Sequence, residues 1–165
     1  MKYMGSKGRI AKEILPIILK DRKPNQYYVE PFVGGCNSLD KVDGNRIASD
    51  TNKYIISMWK ALQSGWIPPR RVDREQYDCI KNNKENDLKL TGWVGIACSY
   101  SGKWFGGYAG NYPISRIKKN GLIPNYQDES YNTAIKQVGL LKGVIFYNLS
   151  YEELPIPQNS IIYCD

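Results

Sequence analysis

The sequence predicts an α/β protein built around a parallel sheet. Two short apolar segments, at 27–30 and 46–49, have the composition of buried strands, and a segment with helical spacing of apolar residues follows each. A glycine turn comes after the first strand, and an acid, Asp50, comes after the second. This order is typical of the start of a βαβ unit. The 165 residues suffice for one compact domain, with or without an inserted subdomain.

Helix boundaries follow from capping residues and apolar spacing. Apolar residues recur at helical intervals over 6–20, where Ser6 is the expected N-cap. Asn52 is placed to cap a second long helix that Gly65 ends. The remaining predicted elements are short helices at 37–42 and 151–154, helices at 70–90 and 128–141, and strands at 143–147 and 160–164.

The middle of the chain differs in composition from both ends. An Ile-Pro-Pro run at 67–69 marks the change, and residues 91–127 are rich in glycine and aromatic residues with few periodic apolar runs. We therefore predict an insertion at 66–129, made mainly of helix and loop. It separates two segments, 1–65 and 130–165, of one α/β domain.

The charge distribution favours an anionic partner. The chain has 23 Lys and Arg residues against 16 Asp and Glu residues, a formal net charge of +7. Residues 88–127 contain five basic residues and no acidic ones, interleaved with aromatic residues. A positive segment with aromatic and glycine residues suits phosphates and stacked bases.

The absence of histidine excludes several catalytic mechanisms and metal sites. The sequence contains no His, which excludes Ser-His-Asp and Cys-His mechanisms and most zinc-site patterns, so we expect no metal. Its four Cys residues form no Cys-x-x-Cys pair and are expected to be reduced thiols. No stretch approaches the roughly 20 apolar residues of a membrane span, and no signal peptide is visible. We expect a cytoplasmic protein that contacts no membrane.

A glycine turn and an acid have the arrangement that α/β sheets use for nucleoside cofactors. The run Glu-Pro-Phe-Val-Gly-Gly at 30–35 follows the first strand, and Asp50 ends the second. Glycines let a ligand approach the backbone, and the acid accepts hydrogen bonds from ribose hydroxyls. The pattern alone equally fits a tight turn and an acid that caps the helix starting near Asn52.

Both ends of the sequence carry candidate ligand contacts. The run Tyr-Met-Gly-Ser-Lys at 3–7 precedes the first helix, so Lys7 and backbone N–H groups can receive an anion while Tyr3 packs on a flat ring. The alternative is a frayed terminus with a surface lysine. Asp165 follows a strand, where a carboxylate points into the ligand crevice of an open α/β sheet. The alternative there is a buried strand with a terminal acid.

The run Gly-Lys-Trp-Phe-Gly-Gly-Tyr at 102–108 is a candidate DNA contact. It combines a cation, three aromatic residues and flexible backbone. This composition suits DNA or a displaced base. The alternative is a compact loop held together by its own aromatic side chains.

Taken together, these runs resemble the motifs of a known enzyme family. The runs at 3–7 and 30–35, Ser-Asp-Thr-Asn at 49–52 and Tyr-Cys-Asp at 163–165 occur in the order and spacing of the Dam-like (D12 class) DNA adenine-N6 methyltransferases. The resemblance implies a Rossmann-like sheet that binds S-adenosylmethionine (SAM), with the insertion as target-recognition region. It also implies site-specific methyl transfer to the exocyclic amine of an adenine flipped out of double-stranded DNA, in a microbial or phage setting such as restriction-modification.

The resemblance assigns roles to individual residues. The cofactor-binding residues would be Tyr3, Lys7, Glu30, Phe32, Gly34, Gly35, Asp50 and Asp165. Asp165 would also be the catalytic carboxylate, which with a backbone carbonyl localises the lone pair of the adenine amine. Tyr151 is expected near the cofactor's adenine. The DNA-binding residues would be Lys103, Trp104, Phe105, Tyr108, Arg116, Lys118 and Lys119.

The sequence departs from the family pattern at two places. Cys36 replaces the last glycine of the Phe-x-Gly-x-Gly motif, and the sequence ends at Asp165, where the family's fourth motif continues as Pro-Pro-Tyr. We therefore expect a sheet that is incomplete at its C-terminal end and leaves apolar edges uncovered. The expectation is a truncated methyltransferase, poorly active or inactive alone unless another polypeptide supplies the missing half.

Two alternatives use the same residues. The first is a noncatalytic remnant that binds SAM or DNA without turnover, which the truncation favours. The second is a dinucleotide-dependent oxidoreductase. Its glycine turn would be Gly-x-Gly-x-x-Gly, whereas this chain has Phe-Val-Gly-Gly-Cys-Asn at 32–37. The basic aromatic insertion would also have no role in such an enzyme.

Overall fold

A computed structural model describes residues 1–111, 117 and 120–165 of the chain. The expected DNA contacts Arg116, Lys118 and Lys119 lie outside the described residues. The helices are α1 (Ala11–Ile18), α2 (Lys53–Gln63), α3 (Arg74–Asn82), α4 (Leu88–Ala97) and α5 (Tyr126–Leu140), and the strands are β1 (Tyr28–Glu30), β2 (Arg46–Ser49), β3 (Ile145–Tyr147) and β4 (Ile161–Ile162). No helix in the described ranges has the length and apolar content of a membrane span.

Within these ranges, four strands form one sheet in the order β3-β2-β1-β4. Val29 of β1 is in register with Ile47 of β2 on one side and with Ile162 of β4 on the other. Every strand pairing is parallel, which confirms the α/β prediction. The carboxyl ends of β1, β2 and β4 therefore lie at the same edge, where open α/β sheets bind ligands.

Side chains alternate along the strands and divide the interior into a large and a small core. The large core contains Tyr28, Ala48 and Phe146 of the sheet, together with residues of α1, α2, α4 and α5. Val29 and Ile47 point to the opposite face and belong to the small core. The helices thus cover one face of the sheet.

The second face of the sheet is covered thinly. Leu154, from the segment between β3 and β4, packs on the small core. No helix of the described chain lies in that segment. At the outer strands, Ile145 and Ile162 remain 41% and 48% exposed.

The two long helices predicted for the first 65 residues begin differently. Asn52 caps α2 as predicted, because its side-chain oxygen accepts hydrogen bonds from the backbone N–H groups of Tyr54 and Ile55. The prediction that Ser6 caps α1 is wrong. Ser6 Oγ instead accepts a hydrogen bond from Gly8 N–H at 3.1 Å, which holds a local turn, and the helix starts only at Ala11.

Helix α4 lies where the sequence predicted few periodic apolar runs. Every residue from Thr91 to Ala97 is buried, so the helix has no polar face and its sequence carries no amphipathic period. The helix predicted at 70–90 is in fact α3 and the start of α4. Helix α4 crosses α2 closely at Gly92, where an added Cβ atom would lie 2.1 Å from the carbonyl oxygen of Tyr54.

We expect Gly92→Ala to destabilise the fold by about 1–3 kcal/mol, because the added methyl group forces α2 and α4 apart. Gly139→Ala, on α5, is the matched control. Nothing lies within 4 Å of a Cβ atom there, so the gain in helix propensity should stabilise the protein by about 1 kcal/mol at most. Urea unfolding measures both effects. Equal stability of the two variants would contradict the close crossing.

Candidate functional site

A cavity of about 360 Å³ opens at the carboxyl ends of β1, β2 and β4, beneath the N-terminal segment. Its volume is typical of small-molecule sites. Its walls come from parts of the chain that are far apart in sequence. The residues expected to bind the cofactor all line it: Tyr3, Lys7, Glu30, Phe32, Gly34, Gly35, Asp50 and Asp165.

Tyr3 lies directly on the glycine turn. A Cβ atom added at Gly34 would lie 2.6 Å from Tyr3 Cε1, and one added at Gly35 would lie 2.6 Å from Tyr3 Cβ. Gly34 also has a φ of +45°, in the left-handed region that favours glycine. Both positions therefore need glycine because the Tyr3 side chain packs against them. The sequence instead predicts a ligand that approaches the backbone there.

Asp50 joins the end of β2 to the glycine turn. Its Oδ2 accepts a hydrogen bond from Gly34 N–H at 3.0 Å, and its Oδ1 accepts one from Asn52 N–H at 2.9 Å. Because the Asn52 side chain caps α2, Asp50 is not the helix cap. A carboxylate oxygen can accept more than one hydrogen bond, so Asp50 can also receive donors from a ligand in the cavity.

An ion pair bounds another side of the cavity. Lys7 Nζ lies 2.5 Å from Asp165 Oδ1, and the two side chains are 41% and 31% exposed. The Asp165 carboxylate, which accepts a hydrogen bond from Lys7, raises the pKa of that ammonium group. The pair connects the N-terminal segment to the chain after β4.

Glu30 is the buried acid of the site. It ends β1, is 5% exposed, and accepts a hydrogen bond from the Tyr28 hydroxyl at 2.9 Å. Burial raises the pKa of the Glu30 carboxyl to about 7, although the hydrogen bond from Tyr28 opposes the shift. A carboxyl group that keeps its proton near neutral pH can donate a hydrogen bond as well as accept one.

Residues 3–89 match the family model of the D12 class N6 adenine-specific DNA methyltransferases. The match covers more than half of the chain and includes Tyr3, Lys7, the glycine turn and Asp50. The chain belongs to this family. Membership confirms the resemblance drawn from the sequence motifs and implies SAM-dependent methylation of adenine in DNA. No curated protein matches the chain.

Two polar side chains that the methyltransferase motifs did not indicate lie at the glycine turn. Asn37 lines the cavity, and Gln137 of α5 donates a hydrogen bond through Nε2 to Gly35 O at 2.9 Å. Asn37 comes two residues after Gly35, so its position in the sequence was a usable signal. Gln137 follows Gly35 by 102 residues, and only the packing of α5 reveals it.

Phe32 and Tyr151 form an aromatic pair beside the cavity. Their ring centroids lie 5.8 Å apart at an interplanar angle of 49°. Phe32 lines the cavity, and both residues are about half exposed. The contact brings Tyr151 next to a residue that is expected to bind the cofactor.

Three aromatic residues expected to bind DNA pack into the protein. Trp104, Phe105 and Tyr108 are partly buried against the large core. Trp104 stacks on Tyr54 with ring centroids 5.4 Å apart, and Gly95 of α4 makes room for it, since a Cβ atom there would lie 2.5 Å from the indole. These contacts agree with a compact loop held by its own aromatic side chains.

The raised pKa of Glu30 makes stability depend on pH. The folded protein keeps the Glu30 proton to about pH 7, whereas an unperturbed glutamate has a pKa of 4.5. The folded state binds more protons between these values, so the free energy of unfolding falls as the pH rises from about 4.5 to about 7. Glu30→Gln, which can still accept from Tyr28, should remove this fall. It should stabilise the protein at pH 8 by an amount on the order of 2–3 kcal/mol.

Urea unfolding of wild type and Glu30→Gln at about pH 5 and about pH 8 tests this expectation. Glu152→Gln, a change of the same kind at an exposed position, is the control and should follow the wild type. A Glu30→Gln protein with the pH dependence of the wild type would contradict the assignment.

Proposed function

We propose that this chain binds SAM in the cavity at the sheet edge and, within a complete site, transfers the methyl group to the exocyclic amine of an adenine in double-stranded DNA. One observation carries the proposal. The N-terminal motif, the glycine turn, Asp50 and Asp165 are far apart in sequence, yet they line a single cavity. The family match supplies the class of reaction.

The side chains around the cavity suit the chemical groups of SAM, which carries an amine, a sulfonium, a carboxylate and ribose hydroxyls. Asp50 and Lys7 both line the cavity. In this proposal Asp50 accepts hydrogen bonds from the ribose hydroxyls, and Lys7 pairs with the carboxylate of SAM. Glu30 and Asp165 offer oxygen atoms to the amine and the sulfonium. Phe32 presents an exposed ring for the adenine. When bound, the cofactor supplies an electrophilic methyl group.

Asp165 is the residue that we assign to the reacting amine. The lone pair of the adenine N6 atom is delocalised into the ring, so it attacks a sulfonium methyl poorly. A carboxylate oxygen that accepts an N6–H hydrogen bond localises this lone pair and orients it. Lys7 contacts Oδ1 of Asp165 in this structure. In this proposal the carboxylate of SAM takes Lys7, so either oxygen of Asp165 can accept the N6–H hydrogen bond.

We assign DNA recognition to residues 66–129, inserted between the cofactor-binding segments 1–65 and 130–165. Lys103 and Tyr100 are exposed on this insertion, which supports contacts with phosphates and bases. The packed aromatic residues next to them hold the segment in shape. We also assign phosphate contacts to Arg116, Lys118 and Lys119, which lie outside the described residues. The target adenine must leave the duplex before it reaches the cavity.

Catalysis requires, in this proposal, a further polypeptide segment beside β4. Strand β4 lies at the edge of the sheet, and Ile162 on it is exposed. Parallel sheets are normally covered on both faces, and the backbone of an edge strand can pair with a further strand. The exposed edge at β4 and the exposed Ile162 therefore favour a partner strand and helix. A second candidate function, SAM or DNA binding without turnover, requires no such segment. Robust methyl transfer to DNA by the purified 165-residue chain would exclude both ideas.

Isothermal titration of SAM tests the cofactor site. We expect saturable binding by the wild type, and Asp50→Ala should weaken it by about 1–3 kcal/mol because charge-assisted hydrogen bonds to the ribose are lost. Asp78→Ala, on the exposed face of α3, is the matched control and should bind like the wild type. Unchanged affinity in Asp50→Ala would remove Asp50 from the site.

The salt dependence of DNA binding tests the insertion. Lys103→Ala should weaken binding to duplex DNA and lower the slope of log K against log salt by about one, because one phosphate contact is lost. Lys20→Ala removes an equally exposed charge just after α1 and should leave the slope unchanged. An unaltered slope in Lys103→Ala would leave the 102–108 loop with a structural role only.

A further inference from the structure

Gln137 connects three separate parts of the chain through one buried amide. Its Nε2 donates to Gly35 O at 2.9 Å and lies 3.4 Å from Asn37 Oδ1. Its Oε1 accepts from the amino group of Met1 at 2.5 Å, and that amino group also donates to Asn37 Oδ1 at 3.0 Å. Gln137 is 3% exposed, so its amide forms hydrogen bonds with these protein groups and not with water.

This amide links the glycine turn to the N-terminal segment. The turn contacts the segment at Tyr3, which leaves no room for a Cβ atom at Gly34 or Gly35. Gln137 holds Gly35 O on one side and the start of the segment, Met1, on the other. Because an unpaired buried carbonyl is costly, the turn is stable where Gln137 can reach it.

We propose that Gln137 is a positioning residue of the cofactor site: it holds the glycine turn and the N-terminal segment at the spacing that SAM requires. The inference rests on the proposed function, that the cavity binds SAM. Gln137 lies on α5, outside the 3–89 match, so family membership does not assign it this role. It acts through the backbone of Gly35 and is not one of the residues that line the cavity.

A second buried glutamine on the same helix separates positioning from general stability. Gln127 is 1% exposed and ten residues before Gln137, about 15 Å along the helix axis. Its amide makes comparable hydrogen bonds, donating to Val72 O at 3.0 Å and Ala109 O at 2.8 Å and accepting from Val72 N–H at 2.8 Å. Gln127 thus stabilises the insertion through the same chemistry, with no contact to the turn.

The experiment compares Gln137→Met with Gln127→Met. Methionine has nearly the shape of glutamine and makes no such hydrogen bonds, so both variants should lose stability. Titration of SAM at a temperature where each protein is folded should show about tenfold weaker binding for Gln137→Met. Gln127→Met should bind like the wild type. In NMR spectra of the SAM-free proteins, the chemical shifts of the Gly34 and Gly35 backbone amides should change in Gln137→Met. They should be the same as in the wild type in Gln127→Met.

A second substitution keeps the test decisive if Gln137→Met does not fold. Gln137→Glu keeps an acceptor for the Met1 amino group and loses the donor to Gly35 O, so it should also bind SAM more weakly. Wild-type affinity in the folded Gln137 variants, or equal loss in Gln127→Met, would overturn the inference alone. No SAM binding by the wild type would overturn the proposed function and the inference with it.

Discussion

The backbone of the glycine turn at 34–35 is the constraint on which the site depends, because four other parts of the chain meet it. Tyr3 lies where side chains at the turn would stand. Asp50 accepts from its N–H group, and Trp59 and Gln137 donate to its two carbonyl oxygens. Buried backbone groups must be paired, so the turn, the sheet edge, α2 and α5 are held in one arrangement. A side chain at Gly35 would displace the N-terminal segment at Tyr3 Cβ, and one at Gly34 would displace the Tyr3 ring.

Cys36 shows that the third position of the motif tolerates a side chain that the first two do not. Its φ of +56° lies in the left-handed region, which costs a non-glycine residue about 1 kcal/mol. Its N–H donates to Val33 O at 2.9 Å and closes the turn. The side chain packs in the large core with no exposed surface, and this burial offsets the conformational cost. Burial also raises the pKa of the Cys36 thiol, which therefore stays protonated and behaves as a small apolar group.

Local rules predicted the parts of the fold that local interactions determine. Strands β1 and β2, the glycine turn and the Asn52 cap all depend on residues within a few positions of each other, and they lie where the sequence placed them. Helix α4 was not predicted because burial on every side leaves no apolar period. Ser6 was assigned as a helix cap because the sequence does not show whether its hydroxyl accepts from a helix N–H group or from Gly8 N–H. The cavity residues were predicted from the order of the motifs. Gln137 could not be predicted, because it contacts Gly35, 102 residues earlier, only through the packing of α5.

The two walls of the cavity differ in how firmly they are held. One wall consists of Glu30, the glycine turn and Asp50, whose hydrogen bonds are formed with the backbone or within the core. The other wall consists of the N-terminal segment and the chain after β4, joined by the partly exposed ion pair of Lys7 and Asp165. Water screens such a pair, so it adds little to stability, and a ligand carboxylate can replace Asp165 as the partner of Lys7 at small cost. The rigid contacts of the cavity therefore lie on the proposed ribose side, and its exchangeable contact is made by Asp165, the carboxylate proposed to act in methyl transfer.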